Sequence, residues 1–396
     1  MIRVIQIGIG GFGQSLYRHL RQPPAGVECR LVGAVDPVLD RTGPEAAQLT
    51  ADGVPLVASL EDLDLSAVDL AVIASPIAEH PDQAIHLLEV GVNVLCEKPA
   101  AGCLADGQRM AAAAARSSAF LGIGFQWSYA EATARLKAAL AAGRFGTPQR
   151  FETLVLWPRD HAYYARSPWA GRRRDGAGRM VNDSPVANAA AHFLHHCLFL
   201  LGPAADAATT AVELEAELYR VNAIETFDSA ALSLRSAEGV KIDFLVAHAA
   251  QAKIGPLMRY RCSEATLHYA WSEGRGPGFV ACFDDGRQEV FGDPEAEVPA
   301  KLWQAVAAAG GRRAPSCPIT AAVPHLAVVE ALEGVPVHEP VRGWREEVSG
   351  ERPATVIPFL DNLWTQAWRM GRLPHHTGLA PWTVAPSRVS VPSVGL

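Results

Sequence analysis

Along the first 124 residues, short unbroken apolar runs alternate with stretches in which apolar side chains recur every three or four positions. The runs at 3–8, 30–36, 69–74, 92–96 and 120–124 read as strands, and the periodic stretches at 12–21, 79–90 and 104–116 as helices. Strands that lack polar alternation and are separated by helices require a parallel sheet covered on both faces. Residues 1–125 are therefore expected to form a doubly wound α/β domain. Beyond Gly124 the pattern predicts a helix at 131–142, a strand at 149–156, a loop rich in aromatic residues and arginines, and a helix opening at Ser184-Pro185. Serine there accepts from the free N–H groups of the first turn, and proline is pre-set for it. Segments 229–233, 240–247 and 265–269 read as antiparallel strands and 315–334 as helix, while the tail after Ala380 has no helical period. Residues 126–396 are expected to form an α+β domain with an open, largely antiparallel sheet.

About half of the chain is apolar, enough for a sizeable core in each domain. With 35 basic and 42 acidic residues the net charge is −7, which argues against a nucleic-acid or anionic-membrane surface and for a small-molecule partner. No apolar stretch reaches the roughly 18 residues that span a bilayer. The first apolar run begins almost at Met1 and ends in a glycine turn, leaving no room for a secretory leader. Seven scattered cysteines without a CxxC pair fit reduced thiols, so a cytoplasmic setting is expected.

The first strand ends in Gly8-Ile9-Gly10-Gly11-Phe12-Gly13, a G-x-G-x-x-G that opens directly into a helix. In that context the glycines permit a tight turn, close approach of a pyrophosphate and helix–strand packing, and the helix N-terminus faces the phosphates. The second strand ends in Asp36, about twenty residues on, where an acidic residue accepts from the adenosine ribose hydroxyls. Asp36 would repel a 2′-phosphate, so NAD is favoured, while nearby Arg41 leaves dual use with NADP open. The domain is thus read as a Rossmann domain.

Further along stand Ser75-Pro76 with His80, then Glu97-Lys98-Pro99, Gly124-Phe125-Gln126, the run from Gly143 to Pro148, and a helix carrying Asn188 and His192 before Gly202. In this order and spacing they resemble the Gfo/Idh/MocA family of oxidoreductases, whose E-K-P signature Glu97-Lys98-Pro99 matches. The resemblance covers residues 3–202 by motif and 224–269 more loosely. It implies that Gly8, Gly10, Gly11, Phe12, Gly13, Asp36, Ser75, Pro76, His80, Glu97, Lys98 and Gln126 line the cofactor, and that Lys98 handles the substrate proton. Oxidising an alcohol by hydride transfer also removes its hydroxyl proton, and burial beside the positive nicotinamide should bring a lysine pKa into the working range. His192 matches the family's substrate histidine. Four residues earlier, where the family usually has aspartate, this chain has Asn188; an amide neither takes a proton nor balances an imidazolium. Proton transfer is thereby shifted onto Lys98, with His192 as partner. Ser128 stands where many members have arginine, which points to a different substrate choice.

Between these elements lie Trp157, Arg159, Asp160, Tyr163, Tyr164, Trp169 and the run Arg172 to Arg174. Trp127, Trp157, Arg159, Tyr163 and Tyr164, with Lys98, Asn188 and His192, suit a carbohydrate pocket; the same aromatic and arginine composition suits a subunit interface. His192, His195 and His196 share a helix face, yet no carboxylate joins them in a zincin pattern, so no metal is expected. Three readings follow: an NAD-dependent sugar, cyclitol or glycoside dehydrogenase; a redox-neutral glycosidase retaining NAD; and a non-catalytic NAD or sugar sensor, motivated by Asn188. The dehydrogenase ranks first. The open sheet face is expected to be covered by another subunit, as in a homodimer or homotetramer.

Overall fold

The computed structural model describes residues 1–270, 278–311, 314–340 and 343–395. The first half alternates β1 (Ile2–Ile7), α1 (Gly13–Arg21), β2 (Cys29–Val35), α2 (Pro44–Ala51), β3 (Leu56–Val57), β4 (Leu70–Ile73), α3 (His80–Glu89), β5 (Asn93–Cys96), α4 (Leu104–Arg116) and β6 (Leu121–Ile123). Its strands pair in parallel in the order β3-β2-β1-β4-β5-β6, a doubly wound Rossmann sheet. All four residues of β4 are fully buried, as a central strand covered on both faces demands, and Leu16, Tyr17 and Leu20 turn one face of α1 onto the sheet.

The second half comprises α5 (Glu131–Ala141), β7 (Pro148–Leu156), α6 (His161–Ala165), α7 (Ala191–Leu200), β8 (Ala211–Tyr219), β9 (Ser229–Ser236), β10 (Lys241–Ala247), β11 (Ile254–Cys262), β12 (Ala265–Ala270), β13 (Phe279–Phe283) and β14 (Gln288–Gly292). After these come α8 (Ala300–Ala309), α9 (Ile319–Ala331), β15 (Val337–His338), β16 (Glu346–Val348), β17 (Ala354–Val356), α10 (Leu360–Met370), α11 (Pro374–Thr377) and β18 (Ser387–Ser390). The large sheet runs β14-β13-β12-β11-β7-β10-β9-β8-β15; β7 and β10 are parallel, β8 and β15 are parallel, and the other pairs are antiparallel. Strand β18, from the tail that lacks helical period, pairs with β8 and so protects that edge.

One sheet face packs on α5, α7 and the end of α9. The other face, expected to await a second subunit, is covered over its apolar part by this chain's own α10: Leu360, Leu363, Trp364 and Ala367 pack with Leu154, Leu156, Ala231 and Leu245. Its remaining part carries ion pairs between Glu152 and Arg259 and between Arg150 and Asp243. Helices α8 and α9 return to the first domain, placing Leu302, Ala305, Ile319 and Leu326 in the Rossmann core. Among the described residues no helix is long and apolar enough to cross a membrane.

Candidate functional site

At the end of β1 the chain reverses through Gly8, whose φ is +82°; a Cβ there would lie 2.6 Å from the Ala74 carbonyl carbon. A Cβ on Gly13 would stand 2.2 Å from the Gly8 carbonyl oxygen, whereas at Gly10 and Gly11 it would meet nothing within 4 Å. The outer glycines are thus required by the chain's packing on itself, and the inner two leave an open cradle at the start of α1. Asp36 is bound to that loop: one carboxylate oxygen accepts from Ile9 N (2.9 Å) and Gly10 N (3.3 Å), the other from Val38 N (3.1 Å) and Leu39 N (3.0 Å). Arg41 is committed to main-chain carbonyls, donating to Asp36 O at 2.8 Å and Leu56 O at 3.1 Å. Phe12 is half exposed above the loop. Ser75 Oγ donates to Gln83, and buried His80 sets its ring nitrogens 3.0 and 2.9 Å from the carbonyls of Pro99 and Ser75. Burial lowers the His80 pKa, and a neutral imidazole donates to only one of those carbonyls.

Lys98 follows β5 at the carboxyl edge of the sheet, where such folds open their ligand crevice. Its Nζ donates to Asn188 O at 2.8 Å and Asn188 Oδ1 at 3.0 Å. The Asn188 amide in turn donates to Asp183 Oδ1 at 2.8 Å, and Asp183 Oδ2 accepts from Gly171 N (2.7 Å) and Arg166 (3.0 Å). Asn188 lies in a wide turn, with Ala190 N bonded to Pro185 O five residues back, just ahead of α7. Such widened turns interrupt the ordinary helical period and recur at functional sites. Burial brings the Lys98 pKa down to about 8; Glu97 opposes the shift and the cation of Lys301 assists it. Lys301, from α8, is itself buried and forms an ion pair with Glu97, its Nζ 4.8 Å from the Phe12 ring centre. His192 meets Phe125 edge-on at 5.9 Å, and its Nδ1 is buried without a hydrogen-bond partner. Burial, then the charges of Lys98 and Lys301, hold its pKa well below the usual range, so the imidazole is neutral.

A cavity of about 200 Å3 is walled by Trp127, Trp157, Arg159, Phe193, Tyr269 and Glu295, with Lys253 and Pro256 at its side. Glu295 accepts from Trp127 Nε1 at 2.7 Å and Gln126 Nε2 at 3.4 Å, which ties Gln126 to this wall. Phe193, next to His192, packs against Trp127 at 5.0 Å and Trp157 at 5.4 Å. Tyr163 and Tyr164 meet edge to face at 5.3 Å, Arg166 covers Tyr163 at 3.9 Å, and Tyr164 Oη lies 3.4 Å from His248 Nδ1. His195 and His196 turn to separate neighbours: His195 stacks on Phe125 at 3.8 Å, and His196 stands edge-on to Trp127 at 5.0 Å. Among the described residues no group of three or more side chains is arranged to hold a metal ion.

Sequence reasoning missed Asp183, Arg166, His248, Glu295 and Lys301. Asp183 stood directly before the recognised helix start at Ser184-Pro185, and Lys301 is a lone cation in the apolar stretch Ala300–Ala309, so both left a local signal.

A family model described as an oxidoreductase family with an NAD-binding Rossmann fold matches residues 2–125, and the GFO/IDH/MocA C-terminal domain model matches 133–268. The chain belongs to the Gfo/Idh/MocA family. Among its relatives, a putative UDP-kanosamine synthase oxidoreductase subunit of Amycolatopsis mediterranei is 31% identical over 210 residues, covering 52% of this chain and 53% of the relative. Inositol 2-dehydrogenase 1 of Saccharopolyspora erythraea is 33% identical over 146 residues, covering 36% and 43% of the two chains. This chain therefore spans about half the length of the curated relatives it matches. Among solved structures, the WlbA dehydrogenase of Bordetella pertussis, in complex with NADH and UDP-GlcNAcA, is similar with a TM-score of 0.65, 24% identity and coverage of 84% of this chain and 95% of that one. Levoglucosan dehydrogenase in complex with NADH gives 0.66, 16%, 84% and 96%. The two family models cover the first domain, which is NAD-binding, and the second domain as far as residue 268.

Proposed function

We propose that the chain is an NAD-dependent dehydrogenase acting on a secondary alcohol of a sugar, cyclitol or glycoside, with residues 1–125 holding the cofactor and residues 126–396 the substrate. The observation that carries this reading is the pair of hydrogen bonds from Lys98 Nζ to Asn188 O and Oδ1. A neutral amine has two N–H bonds and one lone pair. With both N–H bonds directed to Asn188, the lone pair is left to take the proton of a substrate hydroxyl. Asn188 thus does what a carboxylate would do for orientation, without the negative charge that would keep Lys98 protonated. Neutral His192 supplies a hydrogen bond to the same hydroxyl. Bound NAD would accept the hydride at its nicotinamide ring.

The glycine cradle fits the pyrophosphate, because added atoms at Gly10 and Gly11 meet nothing within 4 Å, and Asp36 beside it disfavours a 2′-phosphate. Relatives named for inositol and anhydrofructose chemistry favour a polyol substrate. All seven cysteines are unpaired, in keeping with a reducing cytoplasmic setting, and the reading includes a homodimer or homotetramer. The test is NADH absorbance on mixing protein, NAD and a panel of cyclitols, aldoses, uronates and glycosides. Signal with the wild type that vanishes in Lys98→Ala is expected. Silence across the panel, with a chromogenic glycoside cleaved instead, would move the assignment to a redox-neutral glycosidase.

A further inference from the structure

Arg159 differs from Arg166, Arg172 and Arg179 of the same loop. Arg166 pairs with Asp183 at 3.0 Å, Arg172 with Glu225 at 2.9 Å and Arg179 with Glu79 at 2.6 Å. Arg159 has no carboxylate partner among the described residues, and its Nε is buried without a hydrogen bond. The neighbouring acid, Asp160, is committed to the start of α6, where it accepts from Tyr163 N at 2.8 Å. The Arg159 guanidinium instead lies 4.7 Å from the Tyr163 ring centre and 5.8 Å from that of Trp157, on the wall of the aromatic cavity. Ring faces hold a cation by far less than removing it from water costs. Glu295, the acid of the same cavity, already accepts from Trp127 and Gln126.

A second unsatisfied polar atom lies close by. His248 is 2% exposed, packs edge-on to Tyr163 at 5.4 Å, and has no partner at Nε2. Burial and the charges of Arg159 and Arg166 keep its ring neutral. Tyr164 Oη lies 3.4 Å from His248 Nδ1, and Arg159 Nε and His248 Nε2 are both buried polar atoms without a hydrogen-bond partner.

We propose that the substrate is an anionic carbohydrate whose carboxylate or phosphate is held at Arg159, in the cavity walled by Trp127 and Trp157. This rests on the dehydrogenase reading of the cleft and deepens it to a substrate class. A guanidinium binds either anion through paired N–H donors, and the aromatic wall receives the sugar ring.

The experiment compares matched neutral and anionic probes, methyl β-glucoside with methyl β-glucuronide and glucose with glucose 6-phosphate, for NADH formation by the wild type, Arg159→Gln and Arg159→Lys. The wild type should favour an anionic member at least tenfold in kcat/KM. In Arg159→Gln that ratio falls towards one through a higher KM for the anion, and Arg159→Lys keeps part of it. The pair showing the preference tells carboxylate from phosphate. Equal kcat/KM within both pairs, or a preference that survives in Arg159→Gln, overturns the proposal. Should no probe be oxidised, the dehydrogenase reading fails separately, and calorimetric titration of the NADH-loaded protein with the same pairs decides: tighter binding of an anion, lost in Arg159→Gln, supports it, and no difference within the pairs refutes it.

Discussion

Lys98 needs its neutral form before it can accept a proton, so every charge around it acts on the pH at which the site works. With its pKa lowered to about 8, the base form dominates above that pH, and alcohol oxidation should rise as pH increases through this range. Asn188→Asp places a negative charge 3.0 Å from Nζ, stabilises the ammonium and moves the rise in kcat/KM to higher pH, with at least tenfold lower activity at pH 7. Activity appearing only in that variant would instead support the sensor reading. Lys301 gives the converse test. Removing its cation in Lys301→Met raises the Lys98 pKa, and it leaves Glu97 buried and unpaired, which destabilises the fold by about 3–5 kcal/mol. Glu97→Gln with Lys301→Met restores stability. It also shifts the profile to lower pH, because Glu97 acts on Lys98 more strongly than Lys301 does. Thermal denaturation and pH–rate curves of the two variants check both parts.

Elements were legible where one local pattern decided them. The apolar runs before residue 124 gave β1, β2, β4, β5 and β6, and glycine spacing located the cradle at α1. Strand β11 escaped because Gly255 and Pro256 interrupt it, and helix α10 because a short amphipathic stretch near the C-terminus has meaning only against the sheet it covers. The cover also changes what β8 means. Its alternation places Glu213, Glu215 and Glu217 on one face, as for a water-facing surface, yet Glu217 is 1% exposed and accepts from His375 N of α11 at 3.0 Å. Burial raises its pKa from 4.5 to about 7. A carboxyl with a raised folded-state pKa contributes stability that is complete below its unfolded value and lost as pH rises through the folded one. The wild type should therefore lose about 3 kcal/mol between pH 4.5 and 8 relative to Glu217→Gln. Parallel stability–pH curves for the two proteins would sink this account.

At the scale of the whole molecule, α10 changes how a second copy can bind. The apolar half of the outward sheet face is already filled by Trp364, which packs edge-on to Tyr219 at 5.8 Å and stacked on Trp382 at 6.1 Å. The rest is a ladder of ion pairs in which cations outnumber acids: Glu152 is held by Arg259 at 2.8 Å and Arg261 at 3.1 Å, and Asp243 by Arg150 and Lys241. Among the described residues, three of the ten exposed large apolar side chains lie on the cover: Phe359 at 73%, Leu379 at 57% and Met370 at 49%. Phe359 also has a φ of +63°, a left-handed conformation costly for a bulky residue. A specific interface buries about 1,600 Å2 in total, and these side chains would supply its apolar centre. The expected association thus runs through the outer surface of α10 rather than through a bare sheet. Light scattering at micromolar concentration should give a dimer or tetramer mass for the wild type, and a monomer for Phe359→Asp with Met370→Asp at unchanged circular dichroism. A wild-type monomer would end the homo-oligomer reading and leave α10 as a lid that makes the sheet self-sufficient; an oligomer untouched by the double substitution would place the interface elsewhere on the surface.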